Sequence, residues 1–196
     1  MKFLKWTSIK REFLGFVTKL LFLLLISINA HARFLVEPKA LSYSGEFKVG
    51  SESGKISGTG YGISLGYFGN HFMAGINIER SEIKTDSGFN TNGYQKFNGG
   101  GVGTFIGFYF LDSFKLWTGY LNSVLEPTSN KDYRYFGQHF SIGLGYRFYK
   151  GFMINIEGYR NQYTQEENDV TGQTRGLDSN IKTEGSAYSL SYIFAF

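Results

Sequence analysis

The chain has 196 residues, 20 Lys+Arg against 16 Asp+Glu, 26 glycines, two prolines, no cysteine and 18% aromatics. The lack of cysteine excludes a disulfide framework and a thiolate metal site. An aromatic-rich, proline-poor composition favours strands over helices. The net charge of +4 sits near the N-terminus, so it is no argument for a nucleic-acid partner.

In chain order, the first element reads MKFLKWTSIKREFLGFVTKLLFLLLISINAHA. Lys2, Lys5, Lys10, Arg11 and Lys19 make a basic start, Leu20 to Ile28 is an apolar run, and Ala30-His31-Ala32 fits a small-x-small cleavage site. This pattern predicts a secretory signal peptide over residues 1–32. Its basic part is long, so an uncleaved anchor is the alternative. The run is short of the roughly 20 apolar residues that span a bilayer as a helix. Cleavage would make Arg33 the first residue of a 164-residue domain, residues 33–196. The leader takes five basic residues and one acidic residue, leaving 15 of each and no net charge. No later stretch has the apolar length of a membrane helix.

Eight alternating segments follow: Arg33–Val49, Gly58–Phe68, His71–Ile83, Phe97–Leu111, Phe114–Glu126, Tyr135–Tyr149, Phe152–Thr164 and Thr183–Phe196. Each is long enough for the 9–11 tilted residues of a membrane strand. Gly69-Asn70, Asp112-Ser113 and Lys150-Gly151 read as tight turns. Gly50–Ser57, Lys84–Lys96, Pro127–Arg134 and Gln165–Lys182 read as longer polar loops. Short and long connections alternate as in a transmembrane barrel, with short turns periplasmic. Both barrel termini are then periplasmic.

Period-two alternation assigns two faces. The outward set is Phe34, Val36 and Ala40; Tyr61, Ile63, Leu65 and Tyr67; Phe72, Ala74, Ile76 and Ile78; Val102, Ile106, Phe108 and Phe110. It continues with Trp117, Leu121 and Leu125; Phe140, Ile142, Leu144, Tyr146 and Phe148; Phe152, Ile154 and Ile156; and Leu190, Tyr192, Phe194 and Phe196. The fifth segment is ambiguous, since Leu116, Tyr120 and Val124 have the opposite parity. Tyr67, Phe72, Phe108, Phe110, Phe114, Trp117, Phe148, Phe152, Phe194 and Phe196 gather near the short turns. They read as an aromatic belt at one membrane interface. Tyr43, Tyr94, Phe97, Tyr135 and Tyr159 are candidates for the other. The inward parity concentrates glycine at positions 60, 62, 66, 75, 99, 101, 103, 107, 137, 143 and 145. A narrow eight-stranded barrel, with room only for packed side chains, explains that concentration. A soluble β-sandwich also alternates; the aromatic belts favour the barrel.

The chain closes on SYIFAF, with Tyr192, Phe194 and Phe196 at alternate positions. This resembles the C-terminal signature of outer-membrane proteins, and the resemblance implies recognition by the barrel-assembly machinery. Arg33 to Phe196 as a whole resembles the small eight-stranded outer-membrane barrels: the OmpA transmembrane domain, OmpX and OmpW-like proteins. The expected fold is an all-β, antiparallel up-and-down barrel. No periplasmic domain is expected after the last strand.

Inward charges are Glu37, Lys39, Glu79, Arg147 and Glu157. They read as an ion-pair network in a plugged barrel, because buried charges must be paired; the alternative is a gate or ion path. A three-residue loop after Tyr149 would set Arg147 opposite Asn155 and diagonal to Glu157. Tyr109, Phe105, Met73 and Tyr149 are the expected filling beside the glycines. His139, Ser141 and Glu157 resemble the His-x-Ser pair and neighbouring Glu of the lipid A deacylases, which would make them base, nucleophile and orienting acid. In that family the triad faces lipid and Asn tends to follow the Ser; here the parity is inward and Ile142 follows. Glu166, Glu167, Asp169 and Asp178 in the last loop lack EF-hand spacing. They read as a solvated loop or a weak divalent or lipopolysaccharide contact. His71 sits at a turn without a ligand-like companion.

The expectation is an integral outer-membrane protein of a Gram-negative-type envelope, monomeric, without enzyme activity, cofactor or metal. Outer-membrane lipid and lipopolysaccharide surround it, and its loops meet an extracellular partner. A narrow channel for small or apolar solutes is the second reading and a lipid A-modifying enzyme the third.

Overall fold

The computed structural model describes residues 33–69, 71–86, 96–129 and 131–196. The expected leader with its Ala30-His31-Ala32 site, Asn70, and Tyr94 within the Lys84–Lys96 connection lie outside the described residues. The strands are β1 (Arg33–Val49), β2 (Glu52–Phe68), β3 (Phe72–Thr85), β4 (Lys96–Phe110), β5 (Phe114–Pro127), β6 (Tyr133–Tyr149), β7 (Phe152–Asn168), β8 (Gln173–Tyr192) and the short β9 (Phe194–Ala195). Neighbours in sequence pair antiparallel from β1 to β8, and β1 also pairs with β8, which closes the sheet into a ring. β9 continues β8 beyond Ile193 and pairs with β1 at Leu35 and Val36. Phe34 and Phe196 exchange backbone hydrogen bonds of 3.1 Å across this seam. The fold is therefore an eight-stranded antiparallel barrel without an open edge.

The expected outward parity holds on seven strands. Tyr61, Tyr67, Ile76, Val102, Ile106, Phe108, Phe140, Ile142, Ile154 and Leu190 are all exposed. A continuous apolar outer face is costly in water and natural in lipid. At the end carrying the short turns, edge-to-face and stacked rings link neighbouring strands: Phe34–Tyr67, Phe72–Phe108, Phe110–Phe114–Tyr146, and Phe148–Phe152–Tyr192–Phe194–Phe196. That is the first expected belt, with Trp117 removed from it.

β5 has the opposite parity to the one expected. Trp117, Leu121 and Leu125 are buried inside, while Leu116 and Tyr120 face out. The turn decides this. Phe110 pairs with Phe114 across Leu111-Asp112-Ser113, so the outward parity of β4 carries over to Phe114, Leu116 and Tyr120. Both faces of β5 are apolar, so periodicity alone could not choose between them. The second belt fails for a different reason: Tyr43, Phe97, Tyr135 and Tyr159 share the parity of inward Glu37, Gly99, Gly137 and Glu157, and all four are buried inside the barrel.

Two expected long loops are strand instead. Pairing with β1 runs through Glu52–Ser57, with Ile56 buried inward, and the chain reverses at Gly50, whose φ of 58° suits glycine. Polar outward residues had disguised the strand. Gln165–Lys182 likewise belongs mostly to β7 and β8, joined by Asp169–Gly172, where the Asn168 side-chain carbonyl accepts the N–H groups of Val170 and Thr171. Pairing slips between Tyr163 opposite Ile181 and Gln165 opposite Gly176. Residues 177–180 form the resulting bulge. This end of the barrel therefore carries extended hairpins where irregular loops were expected.

Candidate functional site

The interior is layered. Near the short turns, Leu35, Met73, Phe105, Tyr109, Trp117 and Met153 form a buried apolar cluster, with Phe68 and Ile193 packed against it. Toward the other end a larger cluster contains Leu41, Tyr43, Phe47, Ile56, Phe97, Leu125, Tyr135, Tyr159, Tyr163 and Ile181. Both arise from inward positions of all the long strands. Ile193, between the outward Tyr192 and Phe194, packs inward against the first cluster. Tyr109, Phe105 and Met73 fill the interior as expected, whereas Tyr149 is 57% exposed. The chain slips by one residue between Arg147 and Tyr149, which turns that ring outward. Gly143 lies opposite Trp117, and a Cβ there would overlap the indole. The absence of a side chain at 143 is what admits Trp117.

Between the clusters lies a polar layer. Glu37 accepts a hydrogen bond from Lys115 at 2.5 Å and from the Ser191 hydroxyl at 2.7 Å. Lys39 pairs with Glu79 at 2.5 Å, and the Tyr43 hydroxyl donates to the other Glu79 oxygen at 3.4 Å. Lys115 also lies 4.5 Å from the Trp117 ring centroid. Ser64 donates to Asn77, and Asn155 donates to Ser189 and Ser191 at 3.0 Å. His139 Nδ1 lies 2.7 Å from Asn161 Oδ1, and Asn161 donates to Thr183 at 2.7 Å. These bonds meet most of the cost of burying so many polar groups.

Of the five expected network residues, Glu37, Lys39 and Glu79 lie in ion pairs in this layer. Lys115, the cation that sequence reasoning missed, completes the first pair; the reversed parity of β5 had hidden it. Arg147 stands apart. It pairs in register with Met153, while Asn155 faces Gly145 and Glu157 faces Gly143. The turn is shorter than expected and the chain slips by one residue at Phe148, so the diagonal approach to Glu157 is lost. The Arg147 guanidinium instead lies 5.2 Å from the Tyr109 ring centroid, a cation–π distance. Glu157 is buried, with one carboxylate oxygen lacking a hydrogen-bond partner among the described residues.

His139, Ser141 and Glu157 all point inward and are buried. His139 is held by Asn161, not by Glu157. A base–orienter bond of the deacylase kind is therefore absent among the described residues, and none of the three meets the lipid face. Interior cavities are small. One of about 40 Å³ is lined by Glu79, Ser123, His139 and Tyr159, and one of about 10 Å³ by Glu37, Lys115 and Glu157. Each has room for a few waters at most. In the last hairpin Glu166 pairs with Arg175 at 3.0 Å and Asp169 with Arg134 at 2.9 Å. Among the described residues no group of three acidic or histidine side chains could hold a metal ion.

No protein-family model matches the chain, and no curated protein matches it in sequence. Its fold is similar to that of Neisserial surface protein A, with a TM-score of 0.53 at 15% identity over 82% of this chain and 97% of that one. Ail of Yersinia pestis aligns with a TM-score of 0.46 at 14% identity, over 84% of this chain and 99% of that one. OprG of Pseudomonas aeruginosa gives 0.40 at 12%, over 84% and 96%. At 15% identity the likeness to Neisserial surface protein A is one of fold alone, that of a small antiparallel β-barrel.

Proposed function

We propose that this chain is an integral outer-membrane protein whose barrel is a closed anchor, and that its role in structure or surface interaction is carried by the hairpins at the end opposite the short turns. The carrying observation is the pair of apolar clusters that cap the polar layer above and below. Water crossing the lumen would have to pass Trp117, Met153 and Leu35 at one end and Phe47, Phe97 and Tyr135 at the other. All six are under 10% exposed. The ion pairs between them satisfy one another and offer no continuous polar path. In this reading both barrel termini face the periplasm and β1–β2 and β7–β8 project outward. Tyr192, Phe194 and Phe196 would be the assembly signal, and a leader over residues 1–32 would direct export. Outer-membrane lipid and lipopolysaccharide are the surroundings, and an extracellular macromolecule is the partner. No part of the interior supports catalysis in this reading.

Planar-bilayer recording on refolded protein tests the closed barrel. The expected result is a quiet membrane after confirmed insertion. Stable, reproducible unitary conductance from the wild-type chain would replace this reading with that of a narrow channel.

A further inference from the structure

The outer wall is not uniformly convex. A groove of about 420 Å³ crosses β2, β3, β4 and β5, lined by Tyr61, Ile63, Ile78, Arg80, Gly100 and Glu126, among others. A second hollow with Thr59 and Glu82 continues it away from the short turns. Strand register stacks the outward residues here in rungs. Ile63, Ile78 and Val102 stand on the apolar band. Tyr61, Arg80 and Gly100 form the next rung toward the extended hairpins. Thr59, Glu82, Asn98 and Glu126 form the one after, and Ser57, Lys84 and Lys96 the last. Arg80 and Lys84 are four residues apart, roughly 13 Å along the strand. Gly100, outward on β4, leaves a gap beside Arg80.

Lys84 and Lys96 lie directly opposite each other, both outward and exposed. Like charges in register repel. A second lysine pair, Lys48 opposite Lys182, has the same register on the far wall. There Glu184 and Glu46 lie 2.9 Å and 3.4 Å from the Lys48 ammonium. Among the described residues no carboxylate does this for Lys84, Lys96 or Arg80. Asp86, two residues past Lys84, accepts the Lys55 backbone N–H at 3.0 Å instead. Three cations thus stand open to an outside anion, at two levels. Between the levels are Glu82, Asn98 and Glu126, whose oxygens accept hydrogen bonds from hydroxyl and amide N–H donors. From the apolar band outward the order is cation, hydrogen-bonding band, cation. In the reading above this end of the barrel meets the outer leaflet, and the site rests on that reading. We propose that this wall is a binding site for lipopolysaccharide through its phosphorylated sugar headgroup. One phosphate lies on Arg80, the second on Lys84 and Lys96, the sugars between them on Glu82, Asn98 and Glu126, and an acyl chain over Ile63 and Ile78. The guanidinium can grip a phosphate with two N–H donors. The two ammonium groups share the other phosphate, which removes their mutual repulsion. An anionic lipid without sugars would set its charge against Glu82 and Glu126 with no hydroxyls to offer them.

Native mass spectrometry of the refolded barrel in detergent tests the site, with diphosphoryl lipid A, monophosphoryl lipid A and dioleoyl phosphatidylglycerol as probes. One diphosphoryl lipid A should be retained. Each of the other two should bind at least tenfold more weakly, the cost of about one charge-assisted contact. Arg80→Gln and, independently, Gly100→Leu should each weaken diphosphoryl lipid A at least tenfold. Lys84→Gln/Lys96→Gln should do the same and abolish the preference over the monophosphoryl form. Lys48→Gln/Lys182→Gln removes the same charge from the neutralised pair and should leave binding unchanged. Equal affinity for the two lipid A forms, a preference that survives Lys84→Gln/Lys96→Gln, or wild-type affinity in Gly100→Leu overturns the proposal. So does a loss in Lys48→Gln/Lys182→Gln as large as that in Lys84→Gln/Lys96→Gln. Insertion into phosphatidylcholine vesicles separates the two levels: a barrel that inserts but shows no lipid preference sinks the groove alone, and one that fails to insert sinks the membrane reading with it.

Discussion

Lys115→Met is the sharpest probe of the interior. Lys115 is 4% exposed and Glu37 is 2% exposed, with 2.5 Å between their charged atoms. Removing the cation strands a buried carboxylate, which costs about 3–5 kcal/mol for a buried pair. The hydrogen bond from Ser191 is kept in both proteins and still solvates the stranded carboxylate, which puts the loss at the lower end of that range, about 3 kcal/mol. Glu37→Gln should cost a similar amount by stranding the ammonium. The double variant Glu37→Gln/Lys115→Met leaves a neutral acceptor for Ser191 and an apolar chain against Trp117. It should therefore lie within about 1 kcal/mol of wild type, giving a coupling of about 5 kcal/mol between the two sites. The assay is urea unfolding in phospholipid vesicles, followed by the fluorescence of Trp117. That is the one tryptophan after residue 32, since Trp6 lies in the expected leader. Lys115 sits over that ring, so the midpoint and slope are the readout and not the intensity. A single-variant loss below about 1 kcal/mol, or a double variant as unstable as the two losses summed, would refute the buried and paired layer.

Leu144, outward on β6 and 43% exposed, should tolerate Arg poorly in bilayers, losing about 2–4 kcal/mol in the same urea assay; a harmless Leu144→Arg contradicts the lipid-facing assignment. On β5, a Trp placed at Tyr120 in a Trp117→Phe background should be quenched by brominated lipid chains, whereas one at Leu121 should not, and the reverse pattern would restore the parity expected from sequence. Mass spectrometry of membrane fractions should find a chain starting at Arg33, and recovery mainly of the full-length chain would argue for an uncleaved anchor.

The fold was legible because each strand writes its two faces into the sequence at period two. Phe140, Ile142 and Leu144 against Ser141, Gly143 and Gly145 need no structure to be sorted. The site was legible only in part, because its contacts join strands whose register depends on turns. A shorter turn and the one-residue slip at Phe148 together moved Arg147 from Asn155 to Met153. The pairing of Phe110 with Phe114 turned Lys115 inward. Neither event leaves a mark in composition. The loop ends were misread for a different reason. Beyond the lipid both faces of a strand can be polar, so alternation fades at Glu52–Lys55 and Gln173–Asn180 although the backbone pairing continues.

The seam carries a kinetic consequence. The hydrogen bonds between Phe34 and Phe196, and the pairing of β1 with β8 and β9, join the two ends of the described chain. Every other strand pair is a hairpin between neighbours and can zip locally. The seam alone demands closure of the whole length, so its entropy cost must be met before its contacts give anything back. Until it closes, the nascent sheet presents two open edges, along β1 and along β8, each with unpaired backbone groups that hydrocarbon does not tolerate. Insertion and closure must therefore advance together, and the slow step of folding belongs to the last rung at the seam.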